Sequence, residues 1–463
     1  MTESPAPPPL PRSIGLWQAT ALNVANMVGI GPFVTIPLFL AAMNGPHAIV
    51  AWIIAAVLVV CDGLVWSELG AALPGSGGTY HFLKVIYGQS RWGRALPFLF
   101  LWQFLLTGTM ELATGYIGMV QYIGYLIPGI ETALHGTAPA VIASVLCLVV
   151  GALLSRRIEV VGTLSLVLCA GTLLTVLIVV LSGVSHFSPE LIAFPKDAFV
   201  PSRALFQGLA GAMLIAIYDY LGYYNVCHLG DEVRDPGRTI PRAVLLSVGL
   251  IAVIYLTMNI SIISVIPWQE AMKSTHIASD FMEKLYGPRI ASGFTLLILW
   301  TSFACFFAAT LGYSRIIYAA GRMGDFFQTM GRLHGSGQYP RNALWTVVVL
   351  TAVMCFFPLP DLVNAAVLGR IGVQFIGQIV GLHLLRKNRP DVVMPFRMWL
   401  YPLPSLVALV GWLFVLLTPS SDPAWYGFKP LLTAAVVNLS GLFAYWIWTF
   451  GRSGQNGSVK PHP

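Results

Sequence analysis

The chain has 463 residues, of which 56% are hydrophobic and only 10% are charged. Soluble domains carry roughly 25% charged residues, so this composition excludes a soluble domain and indicates an integral membrane protein. The net charge of +7 belongs to the loops between apolar segments, so it reflects membrane topology, and no nucleic-acid partner is expected.

Apolar segments recur along the whole chain and predict an all-α protein with twelve membrane-spanning helices. The residues before the first span are rich in proline and lack an apolar signal core, so no cleaved signal peptide is predicted. We expect a disordered cytoplasmic tail over 1–13 and a second cytoplasmic tail over 451–463. The predicted spans are 14–42, 46–73, 95–126, 138–154, 159–184, 205–230, 240–267, 290–320, 342–357, 361–386, 398–418 and 428–450.

The first span is interrupted by the sequence NMVGIGPFVTIP at 26–37. Glycine tolerates unusual backbone angles, and proline has no N–H to donate to the helical ladder. We predict that the helix loosens near Val28 and restarts at Pro32, because proline suits the first turn of a helix. Unpaired backbone groups are costly in lipid, so such a break survives only where it is buried or lines a wet cavity.

The sixth span is interrupted in the same way by YDYLGYY at 218–224. Two interrupted spans at matching places in two halves of a chain indicate the binding site of a transporter. Three aromatic residues at the breaks, Phe33, Tyr218 and Tyr220, are candidates for a lid over the substrate. The predicted binding residues at the breaks are Gly29, Ile30, Gly31, Phe33, Tyr218, Asp219, Tyr220 and Gly222.

Four ionisable residues fall inside predicted spans, where each must face protein or water. Glu111 is interpreted as a counter-ion for a cationic amine or as a proton acceptor, with a hydrogen-bonded link between helices as the alternative. Asp219 is interpreted as an amine contact or a protonation site, with a cap on the restarted helix as the alternative. Asp62 and Arg370 are candidates for structural ion pairs, with Arg370 neutralising one of the acids.

Lysine and arginine are unevenly distributed over the predicted loops. Of the 26 lysine and arginine residues, 19 fall on the side of the two tails, six fall on the other side, and Arg370 lies within a span. This bias predicts a multi-pass protein of the cell membrane with both termini in the cytoplasm. The six on the outer side are Lys196, Arg203, Lys273, Lys284, Arg289 and Lys429.

Four motifs occur in order along the chain: GIGPF at 29–33, SELGAALPGSGGTY at 67–80, YDYLGYYNVCHLGDEVRDPGRTIPRA at 218–243 and SRIIYAAGRMGDFF at 314–327. They resemble, in turn, the GSGIF, ELxxxxPxSGGxY, EEVxxPxRxIPRA and eighth-span exit motifs of the amino acid–polyamine–organocation permeases. One such motif is weak evidence, whereas four in register are specific, and together they cover most of residues 14–390.

The resemblance implies a fold of two inverted five-helix repeats, over 14–184 and 205–386, followed by two further helices over 398–450. It also implies that helices 1 and 6 are discontinuous. The carboxylate or polar end of the substrate then meets free N–H groups of the broken first helix, and its amine meets carbonyl groups of the broken sixth. This agrees with the partial positive charge at the N-terminus of a half-helix and the negative charge at its C-terminus.

The chain departs from the family pattern at several positions. Ile30 replaces the usual serine, and Pro32 removes one N–H donor from the expected carboxylate site. Cys169 to Gly171 occupies the region where many proton-coupled relatives carry a lysine. Thr301 and Ser302 offer hydroxyl groups to a sodium ion, so the ion-coupling candidates are Glu111, Asp219, Thr301 and Ser302, and both proton and sodium stay open.

These features favour a secondary active transporter for amino acids or related amines, working by alternating access and driven by an ion gradient or by exchange. The intramembrane acids favour a cationic amine, a polyamine or a basic amino acid, whereas the anion site at 29–31 favours a neutral amino acid. A nutrient sensor that does not transport is the remote alternative. No HExxH or GxSxG motif occurs, so no enzyme is predicted, and neither a cofactor nor a metal is expected.

Overall fold

The computed structural model describes most of the chain. The predicted inner cations Arg91, Arg156, Arg157 and Lys460 lie outside the described residues, as do most of the two predicted tails. The described residues are 12–75, 77–88, 93–130, 132–155, 161–334, 339–419 and 429–456.

The described chain is built from α-helices, with no strand beyond two isolated bridges among these residues. The helices are α1 Leu16–Met27, α2 Gly31–Met43, α3 Ile49–Ala72, α4 Thr79–Tyr87, α5 Ala95–Leu126, α6 Ala138–Leu154, α7 Val161–Ser185, α8 Arg203–Tyr220, α9 Pro236–Ile263, α10 Trp268–Ala271, α11 Ile277–Tyr286, α12 Pro288–Arg322, α13 Arg341–Met354, α14 Leu359–Arg370, α15 Gly377–Asn388, α16 Leu403–Leu417 and α17 Lys429–Asn456. A π-helical turn, Ile371–Ile376, joins α14 to α15.

The first predicted span breaks where the sequence indicates. Helix α1 ends at Met27, Val28 adopts an extended conformation, and α2 starts at Gly31 with Pro32 in its first turn. The two helices are bent by 54° relative to each other. Proline is tolerated here because the first N–H groups of a helix have no intrahelical acceptor.

The sixth predicted span breaks more completely than expected. Helix α8 ends at Tyr220, and no α-helix resumes until α9 begins at Pro236, with only a 3₁₀ turn at Asn225–His228 between them. Gly222 has φ +112° and packs against Asn26, where a Cβ would come within 2.5 Å of the amide nitrogen. A glycine is therefore needed here both for its backbone angle and for close approach. Because only a 3₁₀ turn separates α8 from α9, the prediction of a restarted α half-helix is wrong.

Six of the described helical segments are long and apolar enough to cross a membrane, and the bent pair α1 and α2 makes a seventh span. The shorter apolar helices are 138–154, 173–185, 341–354 and 403–417. Twelve crossings, the two inverted repeats and their boundaries stay predictions.

Helix packing places the two breaks beside each other. Helix α2 packs against α8, while α1 packs against α9, and α3 supports both α8 and α9. On the other side, α5 packs against α12 and α14. The two interrupted segments therefore face α5 and α12 across a gap at the centre of the bundle.

Candidate substrate-binding site

A cavity of about 660 Å³ fills this gap. At one end it reaches Leu22, Tyr80 and Met323, toward the end of the bundle where α1 begins, which we call the α1 end. No lining residue among those described comes from α10 or α11, which cover the opposite end, called the α11 end. Among the described residues, the lining of the cavity therefore extends toward the α1 end and not toward α10 or α11. At its centre it is lined by Gly29, Ile30, Gly31, Glu111, Tyr218 and Asp219.

The break between α1 and α2 exposes backbone donors to this cavity. The N–H of Val28 still bonds the carbonyl of Val24, at 2.8 Å, but no described group accepts from the N–H groups of 29–31. Pro32 contributes no donor. Three successive amides at the start of a helix form a site suited to an anion, because the helix dipole adds partial positive charge there.

Buried side chains hold the break open. The Tyr255 hydroxyl donates to the carbonyl of Met27 at 2.6 Å, and that of Tyr122 donates to Phe33 at 3.0 Å. Asn23 donates to the carbonyl of Tyr223 at 2.6 Å and accepts from the N–H of Val226 at 2.8 Å. Asn23 belongs to α1 and bonds a backbone carbonyl and a backbone N–H of the irregular segment after α8. These hydrogen bonds therefore join the two interrupted spans to each other.

Glu111 lies on the cavity wall, but its charge is already matched. The Nη2 of Arg370 bonds its carboxylate at 2.5 Å, and Arg370 is only 2% exposed. The same guanidinium donates to Thr107 at 3.0 Å and to the Tyr224 hydroxyl at 3.3 Å. The pair therefore links α5, α14 and the segment after α8. Arg370 neutralises an acid, as the sequence suggested, and that acid is Glu111.

Asp219 is buried beside the start of α2 and has a different environment. Its Oδ2 accepts a hydrogen bond from Thr35 at 2.5 Å, while its Oδ1 has no hydrogen-bond partner among the described groups. That oxygen lies close to Gly31, since a Cβ there would be 2.5 Å from it. No described cation pairs with this carboxylate, so only a hydroxyl group and the N-terminal end of α2 stabilise it.

Several lining residues were not predicted. Thr114 shares a hydrogen bond of 2.5 Å with the Tyr218 hydroxyl, and Gly115 and Phe306 form the adjacent wall. A Cβ on Gly115 would come within 1.8 Å of the Phe306 ring, so α5 approaches α12 only because this residue is glycine. Thr114 and Gly115 follow Glu111 by three and four residues, so helical periodicity around that acid was a signal that could have found them.

Other predicted site residues lie away from the cavity. Phe33 and Tyr220 are fully buried, and Tyr220 packs on the rings of Trp52 and Tyr255 at 5.6 and 6.1 Å between centroids. Of the predicted aromatic lid, only Tyr218 borders the cavity, and Gly222 contacts Asn26 behind it.

The residues predicted to pair with Arg370 or to bind a coupling ion also have other partners in the structure. Asp62 accepts hydrogen bonds from the Tyr223 hydroxyl and from Trp412 at 3.1 Å, and it is not the partner of Arg370. The hydroxyl of Ser302 donates to the carbonyl of Ile298 at 2.7 Å. That of Thr301 shares a contact of 3.2 Å with Thr175. Neither borders the cavity, so the structure does not bring these hydroxyls to the candidate site.

At the α1 end, two polar contacts join helices next to the cavity mouth. The Tyr80 hydroxyl donates to Asp325, and Lys84 bonds the same carboxylate at 2.7 Å. Farther from the cavity, the buried Glu68 pairs with Arg386 at 2.5 Å and accepts from the N–H of Met398 at 2.9 Å. These contacts tie α4 to the end of α12, and α3 to α15 and the segment before α16.

Comparisons with known proteins agree with this architecture. The sequence model of the family described as amino acid permease matches residues 14–452. The human cystine/glutamate transporter is 27% identical over 94% of this chain and 86% of its own length. The mouse b(0,+)-type amino acid transporter 1 is 24% identical over 96% and 89%, and the rat large neutral amino acids transporter small subunit 2 is 26% identical over 94% and 81%. These relatives are transporters and not enzymes. The chain belongs to the amino acid permease family of the amino acid–polyamine–organocation permeases, and it is a multi-pass membrane transporter.

Proposed function

We propose that this permease carries a zwitterionic amino acid with a neutral side chain across the plasma membrane. The observation that carries the proposal is the pair between Glu111 and Arg370 at 2.5 Å. A carboxylate matched by a buried guanidinium does not supply a free negative charge to a cationic side chain. This removes the main argument for a cationic substrate that the sequence offered.

The remaining polar groups suit the two ends of a zwitterion. We assign the α-carboxylate to the free amides of 29–31, because no described group accepts a hydrogen bond from them. We assign the α-ammonium to the C-terminal end of α8, which carries partial negative charge, and to Asp219, whose Oδ1 has no partner among the described groups. The wall of Ile30, Leu112 and Phe306 is apolar and suits a side chain without charge.

The extent of the cavity supports transport by alternating access. The cavity extends toward the α1 end, while α11 covers the other end through contacts with α2 and α12. If the N-terminus is cytoplasmic, as the loop charges predict, the cavity extends from the breaks toward the inner face of the membrane. Transport then requires the contacts at one end to form as those at the other end break.

A second candidate is a basic amino acid or polyamine, and Asp219 is the observation that favours it. This buried carboxylate has an oxygen without a partner and no pairing cation among the described residues. A substrate with an additional amine could provide that charge.

Counterflow in proteoliposomes separates these candidates. Vesicles loaded with unlabelled leucine, lysine or putrescine are assayed for uptake of the same labelled compound, with imposed proton or sodium gradients as separate arms. We expect counterflow of leucine and little of lysine or putrescine. Efficient counterflow of lysine or putrescine alone establishes the second candidate, and no counterflow of any amino acid or amine contradicts transport and favours a sensor.

A further inference from the structure

We propose that a groove between α8 and α16 binds a phospholipid with an anionic headgroup. The groove has a volume of about 520 Å³ and is separate from the central cavity. It is independent of the proposed substrate, because no residue lines both. Its lining residues are Arg203, Phe206, Gln207, Val410, Leu413, Phe414, Leu417, Thr418 and Pro419.

The groove lies at the α11 end of the bundle. The first turns of α8 meet the last turn of α2, where a Cβ on Gly208 would come within 2.7 Å of the carbonyl of Ala42. Helix α16 starts shortly after Met398, which is bound to Glu68 at the α1 end, and it runs away from that end. The groove therefore lies between the start of α8 and the final turns of α16, at the depth where a membrane helix leaves the hydrocarbon.

Helical spacing creates the two walls. Arg203, Phe206 and Gln207 are separated by three and four residues, so they share one face of α8. Four apolar residues of α16 at 410, 413, 414 and 417 share one face in the same way, over roughly 10 Å of helix. More than half of the surface is exposed for each of Phe206, Val410 and Leu417, so this apolar face lies on the outside of the helix bundle.

The surroundings of a membrane helix are lipid, and the groove is shaped for an acyl chain beside a cation. Its apolar part is continuous along α16, and Arg203 stands at the end where α8 begins. Arg203 is exposed and has no carboxylate or other acceptor among the described residues. Arginine binds phosphate through several N–H donors at once, so its charge complements a lipid phosphate. A headgroup with net negative charge fits better than a zwitterionic one, because none of the described residues that line the groove is acidic and could bind a choline or ethanolamine amine.

Native mass spectrometry of the purified full-length protein tests this proposal, with phosphatidylglycerol and phosphatidylcholine titrated separately. We expect Arg203→Gln to weaken the tightest phosphatidylglycerol binding about fivefold, the factor that one cation contributes near an anionic lipid surface. Arg289→Gln is the matched control, because Arg289 is an exposed arginine in the first turn of α12 at the same end and does not line the groove. It should leave binding unchanged.

A second variant tests the apolar wall without altering charge. Val410→Trp fills the groove from an exposed position and should reduce binding of both lipids while the protein stays folded. Millimolar inorganic phosphate should not displace phosphatidylglycerol. The proposal is overturned if Arg203→Gln binds phosphatidylglycerol like the parent, if the Arg289 control loses binding equally, or if inorganic phosphate displaces the lipid completely.

Discussion

Glu111 and Asp219 are two carboxylates on the same cavity, and the protein treats them differently. Glu111 is bonded to the guanidinium of Arg370, whereas Asp219 has one hydroxyl partner and an oxygen with none among the described residues. Removing a carboxylate from water is unfavourable for both residues, but only Glu111 is paired with an opposite charge among the described residues. The comparison teaches that an acid in a membrane helix does not by itself indicate a cationic substrate. Its partner decides whether its charge is available.

The largest expected effect comes from removing the cation of the paired acid. Arg370→Met leaves the partly buried Glu111 without its partner, and we expect the free energy of unfolding to fall by about 3–5 kcal/mol. Thermal unfolding of the purified variant, followed by its tryptophan fluorescence, measures this loss.

The double variant Arg370→Met with Glu111→Gln serves as its control. Because the uncompensated charge is gone, this variant should recover most of the lost stability. A double variant as unstable as the single one would show that the hydrogen bonds from Arg370 to Thr107 and Tyr224 matter more than the ion pair.

The second effect concerns the unpaired acid. Asp219→Asn retains the shape of the side chain but removes its charge, so we expect KM for a neutral amino acid to rise roughly 10- to 100-fold, as for a lost hydrogen bond to a charged group. Stability should change little, because no cation is left without a partner. Uptake kinetics in proteoliposomes measure this, and an unchanged KM would remove Asp219 from the ammonium site.

A smaller effect is expected from the hydroxyl that holds Asp219. Thr35→Val is nearly isosteric and removes the hydrogen bond of 2.5 Å. We expect a loss of about 1–2 kcal/mol in the free energy of unfolding. The loss should shrink in an Asp219→Asn background if the two side chains act on each other, and a double-mutant cycle gives that coupling directly.

The smallest effect should come from a third acid, Asp325, which is partly exposed. Its partner Lys84 is 49% exposed, and pairs in such surroundings contribute about 0–1 kcal/mol. Lys84→Met should therefore leave the unfolding temperature nearly unchanged. A loss as large as that of Arg370→Met would show that burial does not determine how much each ion pair contributes to stability.

The sequence predicted the parts of this structure that depend on neighbouring residues. Gly29 and Pro32 act on the backbone beside them, so the break of the first span could be placed within a few residues. Most long apolar segments were also found, because a helix in lipid must bond its own backbone. The extent of the second break was missed, because it depends on contacts such as that of Gly222 with Asn26.

The assignments within the site depended more on distant residues. Arg370 is 259 positions from Glu111, and nothing in the sequence indicated which acid it would bind. Phe33 and Tyr220 were expected at the cavity because they flank the breaks, yet each points into the core. Short-range patterns therefore located the site, while the direction of each side chain depended on packing between helices.

The central claim is that an amino acid binds at the break between α1 and α2, and Cys305 provides the most direct test. Its sulfur lines the cavity, about 3.0 Å from where a Cβ on Gly29 would lie. The other five cysteines are replaced by alanine, and the rate at which a maleimide modifies Cys305 is measured with and without saturating leucine. The account predicts that leucine slows modification at the concentration that half-saturates transport. Transport that saturates while the modification rate stays unchanged would contradict it.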